Sequence, residues 1–174
     1  MAADIRIGRV QPGQGLELRA LRLQALVDTP IAFDESAEDA ARRPESHWHE
    51  TAASWSEGCT SALFAADQAG RWVGVAGGFH HDTGSTRIFA VFIDPPARGQ
   101  RLLEALIGAV SAWSVNCGRH TLTLEVATEN SRAVAAYHRL GFIETGGARP
   151  HPLYPTLTEV EMTRPAIAVA SAPS

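Results

Sequence analysis

Two strand-like runs, each feeding directly into a helical pattern, fill the middle of the chain and constrain its fold more than any other feature. Residues 88–106 (IFAVFIDPPARGQRLLEAL) and 121–142 (TLTLEVATENSRAVAAYHRLGF) both open on β-formers and then switch to apolar spacings of three and four. A strand, a crossover helix and a second strand imply a parallel pair. Just upstream, residues 61–66 and 72–79 flank the turn Asp67-Gln68-Ala69-Gly70 and read as an antiparallel hairpin. One parallel crossover beside antiparallel strands makes a mixed α/β sheet.

The remaining elements follow from punctuation and periodicity. Residues 4–10 read as a first strand, ended by Pro12-Gly13. Leu16, Ala20, Leu23 and Val27 recur at helical spacing, and that helix stops before Pro30. Residues 35–53 form a weaker helical stretch, bent at Pro44, and residues 80–85 a polar loop. The run 88–93 is apolar on both faces, as a central strand is. A helix over 99–116 places Leu102, Leu106, Val110 and Trp113 on one face and ends at Cys117-Gly118. Residues 131–140 form a helix capped by Asn130 and stopped by Gly141; 142–145 and 159–163 are short final strands. The predicted order is β-α-α-β-β-β-α-β-α-β-β.

A chain of 174 residues is long enough for one sizeable core and short for two, so a single domain over 1–164 with a loose tail at 165–174 is expected. The net charge of -4 leaves no basic footprint for nucleic acid. Lysine is absent, as is any G-x-x-x-x-G-K-[ST] loop, which excludes a P-loop nucleotide hydrolase. Cys59 and Cys117 are too few for a disulfide framework and lack metal-ligand spacing. No N-terminal apolar segment or membrane-length run occurs, so the expected protein is soluble and cytoplasmic, with no membrane partner.

Both strand-to-helix junctions carry chemistry. At the first, Pro95 and Pro96 remove competing backbone donors, while Arg98-Gly99 opens a helix whose free N–H groups can hold an anion. The same residues also read as an ordinary loop. At the second, Asn130 and Tyr137 lie seven apart, two helical turns, on nearly one face. The plainer alternative makes Asn130 an N-cap and Tyr137 a core aromatic. Glu125 points away from the face of Leu124 and Val126, and partial burial would raise its pKa toward that of a general base; it reads equally as a solvent-facing strand glutamate.

The pattern L-x-L-E-V-x-x-x-N-x-x-A-x-x-x-Y-x-x-x-G-F, carried by Leu122, Leu124, Glu125, Val126, Asn130, Ala133, Tyr137, Gly141 and Phe142, resembles the core of the GNAT superfamily of acetyl-CoA-dependent N-acetyltransferases. The first junction resembles that family's Arg/Gln-x-x-Gly-x-Gly/Ala loop in part: Arg98 matches, whereas Arg101 and Leu103 stand where small residues are usual.

The resemblance implies a GNAT-like mixed, mostly antiparallel sheet whose central parallel pair splays to hold CoA, with helices on both faces. It implies acetyl-CoA as cosubstrate and no metal. Main-chain groups of Phe92 and Ile93 would align the pantetheine. N–H groups of Arg98, Gly99, Gln100, Arg101, Leu102 and Leu103 would hold the pyrophosphate, and Asn130 would bond the pantetheine or a group bridging to the cofactor. Tyr137 would protonate the leaving thiolate. Glu125, twelve residues ahead of Tyr137, resembles the general base of relatives that acetylate protein N-termini, with water the alternative. The acceptor would be a small-molecule or peptide amine, and the assembly allows a homodimer. A non-catalytic acyl-CoA-binding module is the rival suggested by Arg101 and Leu103.

Other polar clusters carry less. His47 and His49 are two apart and share no helix face, which disfavours a metal site. His80-His81-Asp82 reads as a solvated loop that could rim the acceptor side. Phe33, Asp34 and Glu35 follow a P-x-A-F segment that covers the acceptor side in related chains, where the acids would attract a cationic amine or else form a helix-start charge pair.

Overall fold

The computed structural model describes residues 4–168. The elements are β1 (Ile5–Arg9), α1 (Gly15–Asp28), α2 (Ala37–Ala41), α3 (Glu45–Trp55), β2 (Ser61–Gln68), β3 (Arg71–Asp82), β4 (Ser85–Ile93), α4 (Leu102–Asn116), β5 (Thr121–Ala127), α5 (Ser131–Arg139), β6 (Ile143–Pro150) and β7 (Thr158–Pro165). They form one seven-stranded sheet in the order β1-β2-β3-β4-β5-β7-β6. All pairings are antiparallel except β4 with β5. The mixed, mostly antiparallel sheet with a central parallel pair is thus as expected.

The two faces bury separate clusters. On one, Leu102, Leu106, Ile107 and Val110 of α4 and Tyr137 of α5 cover Ile88, Leu122, Leu124, Val126 and Met162. On the other, Leu18, Leu21, Ala25 and Leu26 of α1 and Trp48 and Ala52 of α3 cover Leu63, Val75 and Phe92. Both faces of β4 are therefore covered, which explains its unbroken apolar run.

The parallel pairing is short. It spans Ser85 with Thr121, Thr86 with Leu122 and Arg87 with Thr123, and then the strands separate. The separation coincides with a bulge: Gly77 lies opposite Phe89 and Val75 opposite Phe92, so Ala90 and Val91 together face one residue of β3. Ala90 takes a φ of 54° there. An extra residue bends a strand away from its neighbour. Gly77 makes the bend possible, since a Cβ at that position would lie 2.6 Å from the Phe89 ring.

Several expectations need correction. The first helix forms, but its predicted face is the wrong one: Leu16 is 51% and Val27 74% exposed, while Leu18, Leu21, Ala25 and Leu26 are buried. Apolar residues occur on both sides of this helix, and Gly15 decides between them. A Cβ on Gly15 would sit 2.7 Å from the His49 backbone nitrogen, so the side that starts at Gly15 packs against α3. The weaker helical stretch is two helices, with Pro44 as the N-cap of α3. The loop expected at 80–85 shrinks to a turn, because β3 continues to Asp82. The hairpin turn likewise tightens to Ala69 and Gly70, whose φ values of 55° and 85° suit a two-residue connection.

Cys59 and Cys117 form a disulfide, with Cα atoms 5.6 Å apart. Two cysteines distant in sequence carry no pairing signal; the fold brings the end of α4 to the loop before β2. The chain beyond β7 is still held at first, by the Ala166 N–H on the His120 carbonyl and the Ile167 N–H on Ser111 Oγ at 2.6 Å. The rest of the expected tail, 169–174, lies outside the described residues. No helix among the described residues is long and apolar enough to cross a membrane.

Candidate active site

Where β4 and β5 part, a cleft of about 630 Å³ opens between the faces of the sheet. Its walls are β4 from Ile88 to Ile93, β5 from Leu124 to Ala127, the loop into α4, and Asn130, Ala133 and Tyr137 of the α5 segment. Thr29, Ile31 and Phe33 close it from the α1 side. Every candidate catalytic or cofactor-holding residue of the two junctions except Gln100 lines this one cavity, whereas Pro95, Pro96, Leu122, Gly141 and Phe142 lie outside it. Among the described residues, the β4 edge facing it has no strand partner beyond Arg87, so main-chain groups there are open to a ligand that extends like a strand.

The loop into α4 is built to hold an anion, with changes from expectation. Gly99 and Arg101 both take positive φ, 78° and 59°. Among the described residues, the N–H groups of Gly99 to Leu103 have no backbone acceptor. The macrodipole of the 15-residue α4 adds to their attraction for negative charge. The Arg98 N–H, expected among these donors, instead bonds the Pro95 carbonyl at 3.2 Å. The Arg98 guanidinium is also engaged, with Nε donating to the Ile93 carbonyl at 3.0 Å and Nη2 to Asp28 at 2.5 Å. Arg98 thus braces the loop against β4 and α1, and the Ile93 carbonyl is no longer free. Gln100 is exposed, its amide 3.5 Å from the Pro96 carbonyl.

Arg101 occupies the glycine position of the family pattern in the left-handed conformation a glycine there would adopt. Its side chain does not crowd the loop: it is 82% exposed and pairs with Glu104 at 2.8 Å. Leu102 is buried and Leu103 partly buried against the α4-side core, so their side chains anchor the loop.

Asn130 is an N-cap, its Oδ1 accepting from the Ala133 N–H at 3.4 Å, and it also lines the cleft. Tyr137 sits one helical face along, stacked edge-on against Phe142 with centroids 5.7 Å apart. Burial pushes the Tyr137 phenol well above its ordinary value, so the hydroxyl keeps its proton and can donate it.

Glu125 does face away from Leu124 and Val126, as its register requires. It is not isolated. Its Oε1 lies 3.3 Å from Arg87 and its Oε2 2.7 Å from Arg149. Arg87 also reaches Glu161, directly opposite Glu125 on β7, at 2.8 Å. Arg149 reaches Glu159 at 2.8 Å and Asp34 at 3.6 Å. Glu159 also lines the cleft, and desolvation raises its carboxyl above the usual range against the pull of Arg149. His151 is fully enclosed beside it. Its Nδ1 accepts the N–H groups of Leu153 and Tyr154, so Nε2 carries the proton and donates to the Ile31 carbonyl at 3.1 Å.

Sequence reasoning missed Arg87, Arg149, His151, Glu159 and Glu161. Their only trace is the alternation Glu159-x-Glu161, which puts both acids on one face of β7. Asp34, His151 and Glu159 offer ligand atoms within 4.8 Å of one another. The Nε2–H is committed to the Ile31 carbonyl and the guanidinium of Arg149 faces both carboxylates, so the donor set suits ion pairing better than a metal. Glu35, expected with Asp34 on the acceptor side, is instead clasped by Arg22 at 3.2 Å and by Arg43. His80 to Asp82 end β3 in solvent, with His81 Nε2 3.0 Å from Arg87.

This geometry is matched by comparison with known proteins. The model of the acetyltransferase (GNAT) family matches residues 25–142. The chain belongs to that family. The mycothiol acetyltransferase of Salinispora tropica is 34% identical over 128 residues, which is 71% of this chain and 39% of that protein. The chain therefore spans about two fifths of the length of this curated relative. Among solved structures, a GNAT-family acetyltransferase from Streptococcus pneumoniae superposes with a TM-score of 0.80 at 16% identity, covering 93% of this chain and 99% of its own. YncA of Salmonella typhimurium, solved with its cofactor acetyl-CoA, has a TM-score of 0.72 at 15% identity and 99% coverage of both chains. At these identities the structures speak for the GNAT fold alone.

Proposed function

We propose that this GNAT-family chain moves an acetyl group from acetyl-CoA to the primary amine of a small molecule or peptide by direct transfer. The observation that carries the reading is the cleft itself: an unpaired β4 edge, a ring of free N–H groups at 99–103 and a buried phenol open onto one cavity. Kinship to a mycothiol acetyltransferase supports acetyl transfer to a small molecule, and the acetyl-CoA seen in YncA supports the cosubstrate.

On this reading the N–H groups from Gly99 to Leu103 take the pyrophosphate, and the main chain near Phe92 takes the pantetheine, with Asn130 at the cleft wall. The amine nitrogen attacks the thioester carbonyl, forming the C–N bond. A β4-edge N–H stabilises the oxyanion. Glu125, or a water it holds, accepts the amine proton. As the C–S bond breaks, Tyr137 gives its proton to the departing sulfur. Arg87 and Arg149 fix the Glu125 carboxylate in place. A cytoplasmic site of action belongs to this reading, with the Cys59–Cys117 bond as the observation that pulls against it.

The test is CoA release from acetyl-CoA across a panel of amines, amino acids, antibiotics and peptides. With any accepted amine, the kcat/KM profile should rise with pH through the titration of the base, and Glu125→Gln should remove that rise. An unchanged profile in the mutant would assign the proton to water or to the amine's own dissociation. Glu125 would then orient the acceptor.

A further inference from the structure

A second cavity, of about 360 Å³, lies on the α1–α3 face and shares Phe33, Phe89 and Ala90 with the cleft. Its interior is apolar, built from Leu18, Leu21 and Ala25 of α1, Leu63 and Val75 of the sheet, and Trp48 of α3. Trp55 and Phe89 meet edge-on at 5.1 Å and form an aromatic wall. The bulge at Ala90 is what joins the two spaces, because it carries the β4 backbone between them.

Two details define what this cavity can hold. Trp48 is only 4% exposed, and its indole N–H is buried without a hydrogen-bond partner. Within this cavity's apolar lining it is a donor that an incoming oxygen would satisfy. The charges at the rim, by contrast, are already matched. Glu35 is held between Arg22 and Arg43, and Arg43 also meets His47 at 2.9 Å. Asp34, the other acid at this rim, faces Arg149 at 3.6 Å, and burying an unpaired cation against these apolar walls would be costly.

We propose that this cavity receives the side arm of the acceptor, and that the acceptor is a small primary amine bearing an aromatic ring with a hydrogen-bond-accepting oxygen on it. The proposal rests on the acetyl-transfer reading and narrows its substrate. The amine sits at the cleft by Glu125 and Glu159, with Asp34 at the rim of the second cavity, while the ring passes Phe89 into that cavity and its oxygen meets Trp48 Nε1. A pocket of this size and lining suits a single aromatic group. A site that offers a buried donor discriminates against an analogue lacking the acceptor, because the donor is then left unpaired.

The experiment compares 4-methoxyphenethylamine, phenethylamine and spermidine as acceptors by CoA release, in the native chain, Thr51→Trp and Trp48→Phe. Thr51 is half-buried on α3 and lines only this cavity, so a larger side chain there plugs it without touching the cleft. The expected kcat/KM order is 4-methoxyphenethylamine above phenethylamine by on the order of tenfold, with spermidine below both. Thr51→Trp should lower both aromatic amines by roughly tenfold and leave the CoA-induced rise in melting temperature intact. Trp48→Phe should erase the difference between the two aromatic amines. Spermidine equal to the aromatic amines, or aromatic amines indifferent to Thr51→Trp, would overturn the proposal while acetyl transfer stands. Failure of CoA to raise the melting temperature would instead remove acetyl transfer, and this inference with it.

Discussion

Tyr137→Phe should fold, bind CoA and lose acetyl transfer by on the order of 10²-fold in kcat. The ring is what the fold uses: it is buried, it meets Phe142 edge-on, and phenylalanine keeps both contacts. The hydroxyl is what the chemistry uses. Burial raises its proton affinity, so it stays neutral through the physiological range and can protonate a thiolate as that thiolate forms. The sign also sets an alkaline limit. With the folded phenol titrating above the unfolded one, its contribution to stability is complete below pH ~10 and is lost as pH rises beyond that. Tyr137→Phe should therefore soften alkaline unfolding while leaving the neutral melting temperature nearly unchanged. Wild-type turnover in the mutant would reduce Tyr137 to a packing residue.

Reduction of the Cys59–Cys117 bond should cost about 4 kcal/mol of stability, on the chain-entropy estimate for a loop of 58 residues. That is about a thousandfold in the folding equilibrium. The bond fastens the end of α4 to the segment before β2, and neither cysteine lines the cleft. Its loss should lower the urea midpoint of a Cys59→Ser/Cys117→Ser chain without altering the Kd for CoA. Equal midpoints for the native and doubly substituted chains would mean that the bond contributes nothing to the folded state. The same pair of measurements, with and without reductant, shows what the protein retains in a reducing compartment.

The elements were legible where local chemistry and tertiary demand agree. Asn130 and Gly141 bracket α5 because a side-chain oxygen and a left-handed glycine are what its ends require. The buried face of α4 was legible because the bulky Leu102, Leu106, Val110 and Trp113 recur at helical spacing. In α1 both faces carry leucine, and the choice between them depends on Gly15 meeting α3, a contact with no sequence signature. The site divides in the same way. Arg98, Gly99, Asn130, Tyr137 and Glu125 lie on contiguous strand-to-helix segments, so spacing alone brought them together. The partners of Glu125 come from β4, β6 and β7, and only the sheet order makes Arg87, Arg149 and Glu161 its neighbours. Trp48 is silent for the same reason: its missing partner exists only once α3 has closed over the sheet.

The most direct test of the account is the melting temperature of the native chain with and without CoA. If the N–H groups from Gly99 to Leu103 and the open β4 edge hold the cosubstrate, CoA at about a hundred times its Kd should stabilise the fold by ~2.7 kcal/mol and raise the midpoint by roughly 5–10 °C. No shift at millimolar CoA would contradict both the acetyl-transfer reading and simple CoA binding.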